Sequence, residues 1–194
     1  QGWAEYIPVE KKIRYLNSLL KVGFDTLDFG SFVSSKAIPQ LRDTKQVLQG
    51  LNISDSHTKL LAIVANVRGA EEAVAFDEIS FLGYPFSVSE EFQRRNANST
   101  IDESLKRVEE IQTHCINKRK DLVIYISMGF GNPYGEPWNA EIVINWVKRL
   151  VQKGIKIIAL ADTIGKSNPE NITHLFSNLI PEFPEIKFGA HLHS

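Results

Sequence analysis

The chain has 194 residues, 43% of them hydrophobic and 23% charged, a composition that suits a folded domain with a sizeable core. Its formal net charge of −1 and the lack of a long apolar run give no reason to expect a nucleic-acid or membrane partner. A single cysteine, Cys115, excludes a disulfide within the chain, and Gln1-Gly2-Trp3-Ala4-Glu5 does not look like a secretory signal. The expected compartment is therefore the cytoplasm, or the mitochondrial matrix in a eukaryote.

Six short apolar runs predict β-strands. In chain order they cover residues 25–32, 59–66, 78–84, 122–129, 156–163 and 186–193. Most are rich in Ile, Val, Leu and Phe along their whole length, which is typical of parallel strands that are covered on both faces.

Amphipathic stretches between the strands predict helices. They cover residues 9–22, about 99–118, 139–152 and the stretch that begins at Pro169. Gly23 is placed to end the first helix, and Thr100 and Glu103 have the spacing of a capping box for the second. Cys115 lies on the apolar side of that second helix, where a small core residue is expected.

The alternation of strands and helices predicts βαβ units in a single domain over residues 1–194. Periodicity alone leaves two architectures open, an open doubly wound sheet and most of a barrel. No G-x-G-x-x-G pattern follows the first strand, which weakens a dinucleotide-binding interpretation. Polar residues at so many successive strand ends favour the barrel.

Polar side chains collect near the carboxyl ends of the predicted strands, the edge at which parallel α/β domains build their sites. These candidates are Asp28 and Ser31, Asn66, Tyr125 and Ser127, Asp162 and Thr163, and His191 and His193. His57, His114 and His174 lie in helical or loop stretches and are expected at the surface.

His191 and His193 have the sharpest local pattern. Residues two apart on a strand point to the same face, so the two imidazoles are placed to bind one divalent metal ion. The alternative is a pair of histidines at an exposed strand end. The preceding strand, predicted to be buried, favours the metal site.

Asp28 and Asp162 are the candidate catalytic carboxylates. Asp28 lies between apolar neighbours and needs a partner or a ligand there, although an ion pair with a buried Lys or Arg is an alternative. Asp162 precedes a predicted turn, so its alternative role is to accept backbone N–H bonds from that turn.

Four motifs in register resemble those of the 3-hydroxy-3-methylglutaryl-CoA lyases, a family of metal-dependent barrel enzymes. Residues 28–36 (DFGSFVSSK) resemble E-x-x-S-F-V-S-P-K, and residues 131–134 (GNPY) resemble G-x-P-Y. Residues 161–165 (ADTIG) resemble G-D-T-I-G, and residues 191–193 (HLH) resemble the start of H-x-H-D. The order and spacing agree over essentially the whole chain.

The resemblance implies a TIM (β/α)₈ barrel that cleaves 3-hydroxy-3-methylglutaryl-CoA into acetyl-CoA and acetoacetate with Mg²⁺ or Mn²⁺. His191 and His193 correspond to the two metal-binding histidines, while Asp28 and Asp162 correspond to active-site acids. The substrate-side positions implied are Gln1, Ser31, Asn66, Tyr125, Ser127 and Thr163. An acyl-CoA is the implied partner, and a homodimer is a possible assembly.

The chain also departs from the family pattern. The family's Arg-Asp pair belongs before Gln1, and its Gly-rich Cys loop, metal-binding Asn and eighth strand belong after Ser194, so we expect a barrel without its strand 1 and strand 8 regions. Ser35 stands in place of a proline, and Asp28 in place of a glutamate. Two other functions stay open: a Claisen-type synthase such as an isopropylmalate or homocitrate synthase, and a non-catalytic barrel homologue.

Overall fold

The structure is a computed structural model that describes Trp3 and residues 5–193. Within them the elements are α1 (Val9–Leu20), β1 (Thr26–Ser31), α2 (Thr44–Gln49), β2 (Lys59–Ile63), α3 (Val67–Ala73), β3 (Ile79–Ser87), α4 (Glu90–Ala97), α5 (Ile101–Asn117), β4 (Asp121–Ser127), α6 (Ala140–Gln152), β5 (Ile157–Ala161), α7 (Pro169–Glu182) and β6 (Lys187–His191). All the predicted strands and helices are present, with their ends shifted by a few residues. The short helices α2, α3 and α4 were not predicted.

The chain forms two compact units. The first runs up to Gly83 and includes His114–Asp121; the second comprises Tyr84–Thr113 and the chain from Leu122 onward. Strand β3 contributes its first half to one unit and its second half to the other. The strand order is β1-β2-β3 in the first unit and β3-β4-β5-β6 in the second.

The first unit is built on parallel pairing of β1 with β2 and of β2 with β3. Leu60, Ala62 and Leu82 are completely buried in its core. The end of β1 approaches α3 so closely that a Cβ at Gly69 would lie 2.4 Å from the Phe32 carbonyl oxygen. Glycine is therefore required at this position of the helix.

The second unit pairs β4, β5 and β6 in parallel. Three consecutive residues of β4, Leu122 to Ile124, are buried, as expected for a strand covered on both faces. The prediction that residues 186–193 form a buried strand is wrong in its burial: in β6 only Phe188 is partly buried. The reason is that, within the described residues, β6 has a strand partner on one side only, which is β5.

Side-chain caps begin several helices. The predicted capping box of α5 is confirmed, because the Glu103 amide donates to Thr100 Oγ1 at 3.1 Å and the Thr100 amide donates to Glu103 Oε2 at 2.8 Å. Gly23 follows α1 with a φ of +81°, which fits its predicted role in ending that helix. No helix in the described part of the chain has the length and apolar character needed to cross a membrane.

Candidate functional site

Asp162 lies directly after β5, and its carboxylate organises the turn that follows. Its Oδ1 accepts the Lys166 amide at 2.7 Å, and its Oδ2 accepts the Ser167 amide at 3.0 Å. Only 1% of the residue is exposed. Burial raises the pKa of this carboxyl, but the hydrogen bonds from Ser167 and Lys166 outweigh that effect and leave the pKa below its ordinary value, with His193 adding to the lowering. Asp162 is thus an ionised carboxylate that stabilises the turn after β5 by accepting two backbone amides. A catalytic role for Asp162 stays a prediction.

His191 and His193 project from the end of β6 to the same side, as their spacing predicts. Their Nε2 atoms lie 2.9 Å apart and both side chains are exposed. In this structure the two ring nitrogens are hydrogen-bonded to each other. Two neighbouring nitrogens bound to one octahedral ion at about 2.1 Å stand about 3.0 Å apart, so the same spacing is compatible with two ligands of a single metal ion. The pair is joined to the Asp162 turn, because the Asp162 amide donates to the His191 carbonyl at 2.9 Å.

Tyr125 and Ser127 lie two residues apart near the end of β4, on one face of the strand. The Tyr125 ring meets the His191 ring edge-on with centroids 5.9 Å apart. Ser127 is 8% exposed and ends the strand. The second unit therefore brings together Asp162, the two histidines and the tyrosine at the strand ends.

The turn after Ser127 was not predicted. Met128 has a φ of +59° and is 2% exposed, and its amide donates to Thr163 Oγ1 at 2.8 Å. The Gly129 amide donates to the Ala161 carbonyl at 3.1 Å. The hydroxyl of Thr163, predicted to contact substrate, is thus already engaged with the backbone of β4, a contact that sequence patterns do not reveal.

The loop over residues 129–139 is held by side chains that sequence reasoning missed. Asn132 Oδ1 accepts the amides of Tyr134 and Glu136, at 3.0 and 3.2 Å. The Glu136 carboxylate bonds to the Ser89 hydroxyl and to the Glu91 amide at the start of α4. The G-x-P-Y segment is therefore fixed in place by these contacts.

In the first unit, Asp28 lies at an irregularity of β1. The pairing with β2 shifts register between Asp28 and Gly30, which marks a β-bulge. Solvent reaches the Asp28 side chain, yet the surrounding protein removes enough hydration to raise its pKa to about 6, against an opposing hydrogen bond from Gly30. No ion pair to Asp28 is present among the described residues, so the alternative of a buried Lys or Arg partner is not supported.

Ser31 and Asn66 both make local contacts with the backbone. The Ser31 hydroxyl accepts the Val33 amide at 3.2 Å, and the residue lines a polar cleft that also contains Arg42 and Arg68. The Asn66 side chain accepts the Gly69 amide at 2.9 Å and caps α3. Their predicted substrate contacts stay predictions, and Gln1 lies outside the described residues.

The two histidines do not complete a metal site by themselves. Over Trp3 and residues 5–193, no group of three or more His, Cys, Asp or Glu side chains is close enough to hold a metal ion. Cys115 is buried, as predicted, and burial raises its pKa to about 12.

Comparisons with known proteins show the family to which this sequence is similar. The family model described as HMGL-like matches residues 1–194. The chain is 31% identical over 195 residues to the cytoplasmic 3-hydroxy-3-methylglutaryl-CoA lyase of Danio rerio, covering 100% of this chain and 57% of that protein. It is 32% identical to the hydroxymethylglutaryl-CoA lyase YngG of Bacillus subtilis, covering 97% of this chain and 62% of that protein.

Solved structures agree on the fold. The HMG-CoA lyase of Bacillus subtilis superposes with a TM-score of 0.91 at 31% identity, covering 98% of this chain and 63% of that one. The HMG-CoA lyase of Acinetobacter baumannii, in complex with coenzyme A and 3-methylmalate, gives 0.90 at 29% identity, covering 100% of this chain and 62% of that one. The fold is thus part of a TIM barrel, as predicted, and the chain spans about three fifths of these relatives' length.

Proposed function

We propose that this chain, which belongs to the HMGL-like family, is part of a carbon–carbon lyase. The reaction we propose is cleavage of 3-hydroxy-3-methylglutaryl-CoA to acetyl-CoA and acetoacetate. The observation that carries the proposal is the pair of imidazole nitrogens 2.9 Å apart, joined through the His191 carbonyl to the turn of the ionised Asp162. The names of the relatives and the bound coenzyme A in the Acinetobacter baumannii enzyme support it.

His191 and His193 would hold a divalent ion, Mg²⁺ or Mn²⁺, together with oxygen ligands from outside the described residues. Histidine nitrogens and oxygens suit such an ion better than the thiolates of a structural zinc site, which a chain with one cysteine does not offer. When bound, the ion polarises substrate oxygens and stabilises the negative charge that forms on them.

Asp28 is the proposed proton acceptor. With a pKa of about 6, its carboxylate is ionised at neutral pH yet more basic than an ordinary aspartate. It takes the proton of the substrate's 3-hydroxyl group, whose O–H electrons form the new carbonyl of acetoacetate. The C–C bond breaks, and its electrons pass to the α-carbon of the CoA thioester. That carbon takes one proton from water to give acetyl-CoA, and Asp28 returns its proton to the solvent.

Asp162 cannot serve as the proton acceptor in this scheme. Its lowered pKa makes it a weak base, and its carboxylate oxygens are already occupied by two backbone amides. Its proposed contribution is a fixed negative charge beside the histidines, which favours the bound cation. Tyr125 and Ser127 lie on the same strand face and are proposed to contact the acyl part of the substrate.

We further propose an acyl-CoA as the substrate and a homodimer as the assembly. We propose a cytoplasmic or mitochondrial compartment, and the matches to relatives named for each of these compartments support it.

The test is an assay of the protein in its full natural length, with 3-hydroxy-3-methylglutaryl-CoA and either Mg²⁺ or Mn²⁺. We expect acetoacetate and acetyl-CoA in equal amounts, and no product after chelation of the metal. Condensation of acetyl-CoA with a 2-oxo acid, without cleavage activity, would instead identify a Claisen-type synthase. No turnover in either direction would leave the non-catalytic homologue as the correct interpretation.

A further inference from the structure

We propose that Thr163 is a positioning residue: its hydroxyl holds the chain in a left-handed turn at Met128 and thereby sets the orientation of Ser127. We call residues 127–129 with their contacts to β5 the β4 corner. The inference rests on the proposed function, because Ser127 matters for catalysis only if it contacts the substrate.

The β4 corner has a backbone conformation that its sequence does not favour. Met128 has a φ of +59°, a region that residues with a side chain rarely adopt because Cβ comes too close to the backbone. The side chain is also 2% exposed, so it is packed in the interior. Such a conformation persists only where the surroundings hold it.

Two hydrogen bonds hold the corner against the end of β5. The Met128 amide donates to Thr163 Oγ1 at 2.8 Å, and the Gly129 amide donates to the Ala161 carbonyl at 3.1 Å. A Cβ at Gly129 would lie 3.0 Å from the Ile126 carbonyl oxygen and 3.4 Å from the Ala161 backbone. Of these groups, the Thr163 hydroxyl is the only side-chain partner, so it is the one that substitution can remove.

The corner bears directly on the candidate site. Ser127 directly precedes Met128, and the Ser127 carbonyl accepts the amide of Val88, the residue after β3, at 3.2 Å. The Ser127 backbone is therefore held by Val88 on one side and by the Met128 turn on the other. A change of φ at Met128 would rotate the Ser127 carbonyl and displace its side chain. Displacements of about 1 Å can lower turnover by about 10²-fold even when the substituted residue does not touch the substrate.

The position of the Thr163 hydroxyl argues against a role confined to substrate contact. A threonine oxygen offers one hydrogen and two lone pairs, and here one lone pair accepts the Met128 amide. The hydroxyl also approaches the Ala161 carbonyl at 3.5 Å. Both partners belong to the protein backbone, as expected of a group that orients the chain.

The test uses the full-length protein and compares Thr163→Val, which removes the acceptor at nearly constant volume, with Thr163→Ser, which keeps it. We expect Thr163→Val to lower kcat by about ten- to 100-fold with little change in KM, and Thr163→Ser to retain most of the activity. Thr113→Val, at an exposed position of α5, is the control and should be neutral. Thr163→Ala removes the same oxygen and replaces the valine variant if that variant does not fold.

Two further measurements separate positioning from direct contact. In a Ser127→Ala background, Thr163→Val should add little to the loss of kcat, because both changes act on the same group. Hydrogen exchange at the Met128 amide should accelerate in Thr163→Val and stay slow in Thr163→Ser, a result that does not depend on lyase activity. Additive losses of kcat, or unchanged exchange at Met128, would overturn the inference; an inactive parent protein with the expected exchange would count against the proposed function alone.

Discussion

The two candidate carboxylates differ in the direction of their pKa shifts, and their surroundings explain why. Loss of hydration dominates at Asp28 and raises its pKa to about 6. At Asp162 the hydrogen bonds from Ser167 and Lys166 outweigh the effect of burial and lower the pKa. Environments that separate the pKa values of two acids suit them to different tasks, which agrees with the proposed roles of proton acceptor for Asp28 and permanent charge for Asp162.

The activity of the full-length protein should therefore depend on the ionisation of Asp28. A proton acceptor works only when deprotonated, so kcat/KM should fall as the pH decreases through about 6, the pKa of this carboxyl. The Asp28→Asn variant should be slow at every pH, and its kcat/KM should not fall as the pH decreases through about 6. A pH profile of kcat/KM for both proteins measures this, and an acid limb near 6 that persists in the variant would assign it to another group.

Chemical denaturation gives an independent check on the same carboxyl. Because the pKa of Asp28 is higher in the folded protein than its ordinary value of 3.8, the folded state binds the proton more tightly. Its contribution to the free energy of unfolding then decreases as the pH rises from about 3.8 to about 6. Relative to the parent, Asp28→Asn should gain stability across this window, and a constant difference between the two would contradict the raised pKa.

Asp162→Asn should lower turnover by about 10²-fold or more, because it removes the charge beside the histidines and disturbs the turn to which they are joined. It also presents an amide N–H₂ to the Lys166 or Ser167 amide, which leaves a buried donor unpaired and lowers the free energy of unfolding by about 1–3 kcal/mol. Kinetics and denaturation of the purified variant report the two effects separately. If stability falls and turnover does not, Asp162 acts in the turn alone.

Replacing both His191 and His193 with Ala should abolish binding of Mn²⁺ by the full-length protein in calorimetry. The physical reason is the removal of the two nitrogens that stand 2.9 Å apart, the spacing of neighbouring metal ligands. His57→Ala is the matched control, since His57 is exposed in the loop before β2. Undiminished affinity in the double variant would place the metal elsewhere.

At the scale of the elements, the sequence predicted features that depend on neighbouring residues, such as helix caps. It did not predict features that depend on contacts between distant elements. The Thr100–Glu103 capping box and the Gly23 stop depend on neighbouring residues, so spacing predicts them. Helices α2, α3 and α4 have six to eight residues, too few to show a clear period. The bulge at Asp28 lies in the pairing with β2, and the left-handed turn at Met128 is held by contacts with Thr163 and Ala161; no local pattern encodes either of them.

The cap of α5 gives a prediction at this scale. Thr100→Ala removes the acceptor of the Glu103 amide and should lower the free energy of unfolding by about 1 kcal/mol. Thr113→Ala, at an exposed position within the same helix, is the control and should not be destabilising. Urea denaturation followed by circular dichroism compares them; equal stability of the two variants would mean that the box contributes nothing.

At the scale of the whole molecule, the sequence predicted the barrel class because polar residues recur at the ends of successive parallel strands. What it misjudged was the burial of β6, since an Ile- and Phe-containing run indicates a strand but does not tell how many neighbours cover it. The structure divides into two compact units, and the expectation of a single domain stays a prediction.

Residues 1–194 expressed alone should bind Mn²⁺ weakly and release no acetoacetate. The described residues offer two imidazoles but no group of three metal-binding side chains, and a chelate of two ligands is weak. Calorimetry and an acetoacetate assay beside the full-length protein measure this. Turnover equal to that of the full-length protein would show that the groups named here suffice.

The β4 corner also provides a spectroscopic handle. Met128 is the only methionine of this sequence, and its side chain is buried next to the candidate site. Labelling the methionine methyl group with ¹³C therefore gives one resonance from residues 1–194, and its chemical shift reports on packing at the end of β4. Titration with Mn²⁺ should broaden that resonance through paramagnetic relaxation, so a single peak would follow the occupancy of the histidine pair without any enzymatic assay.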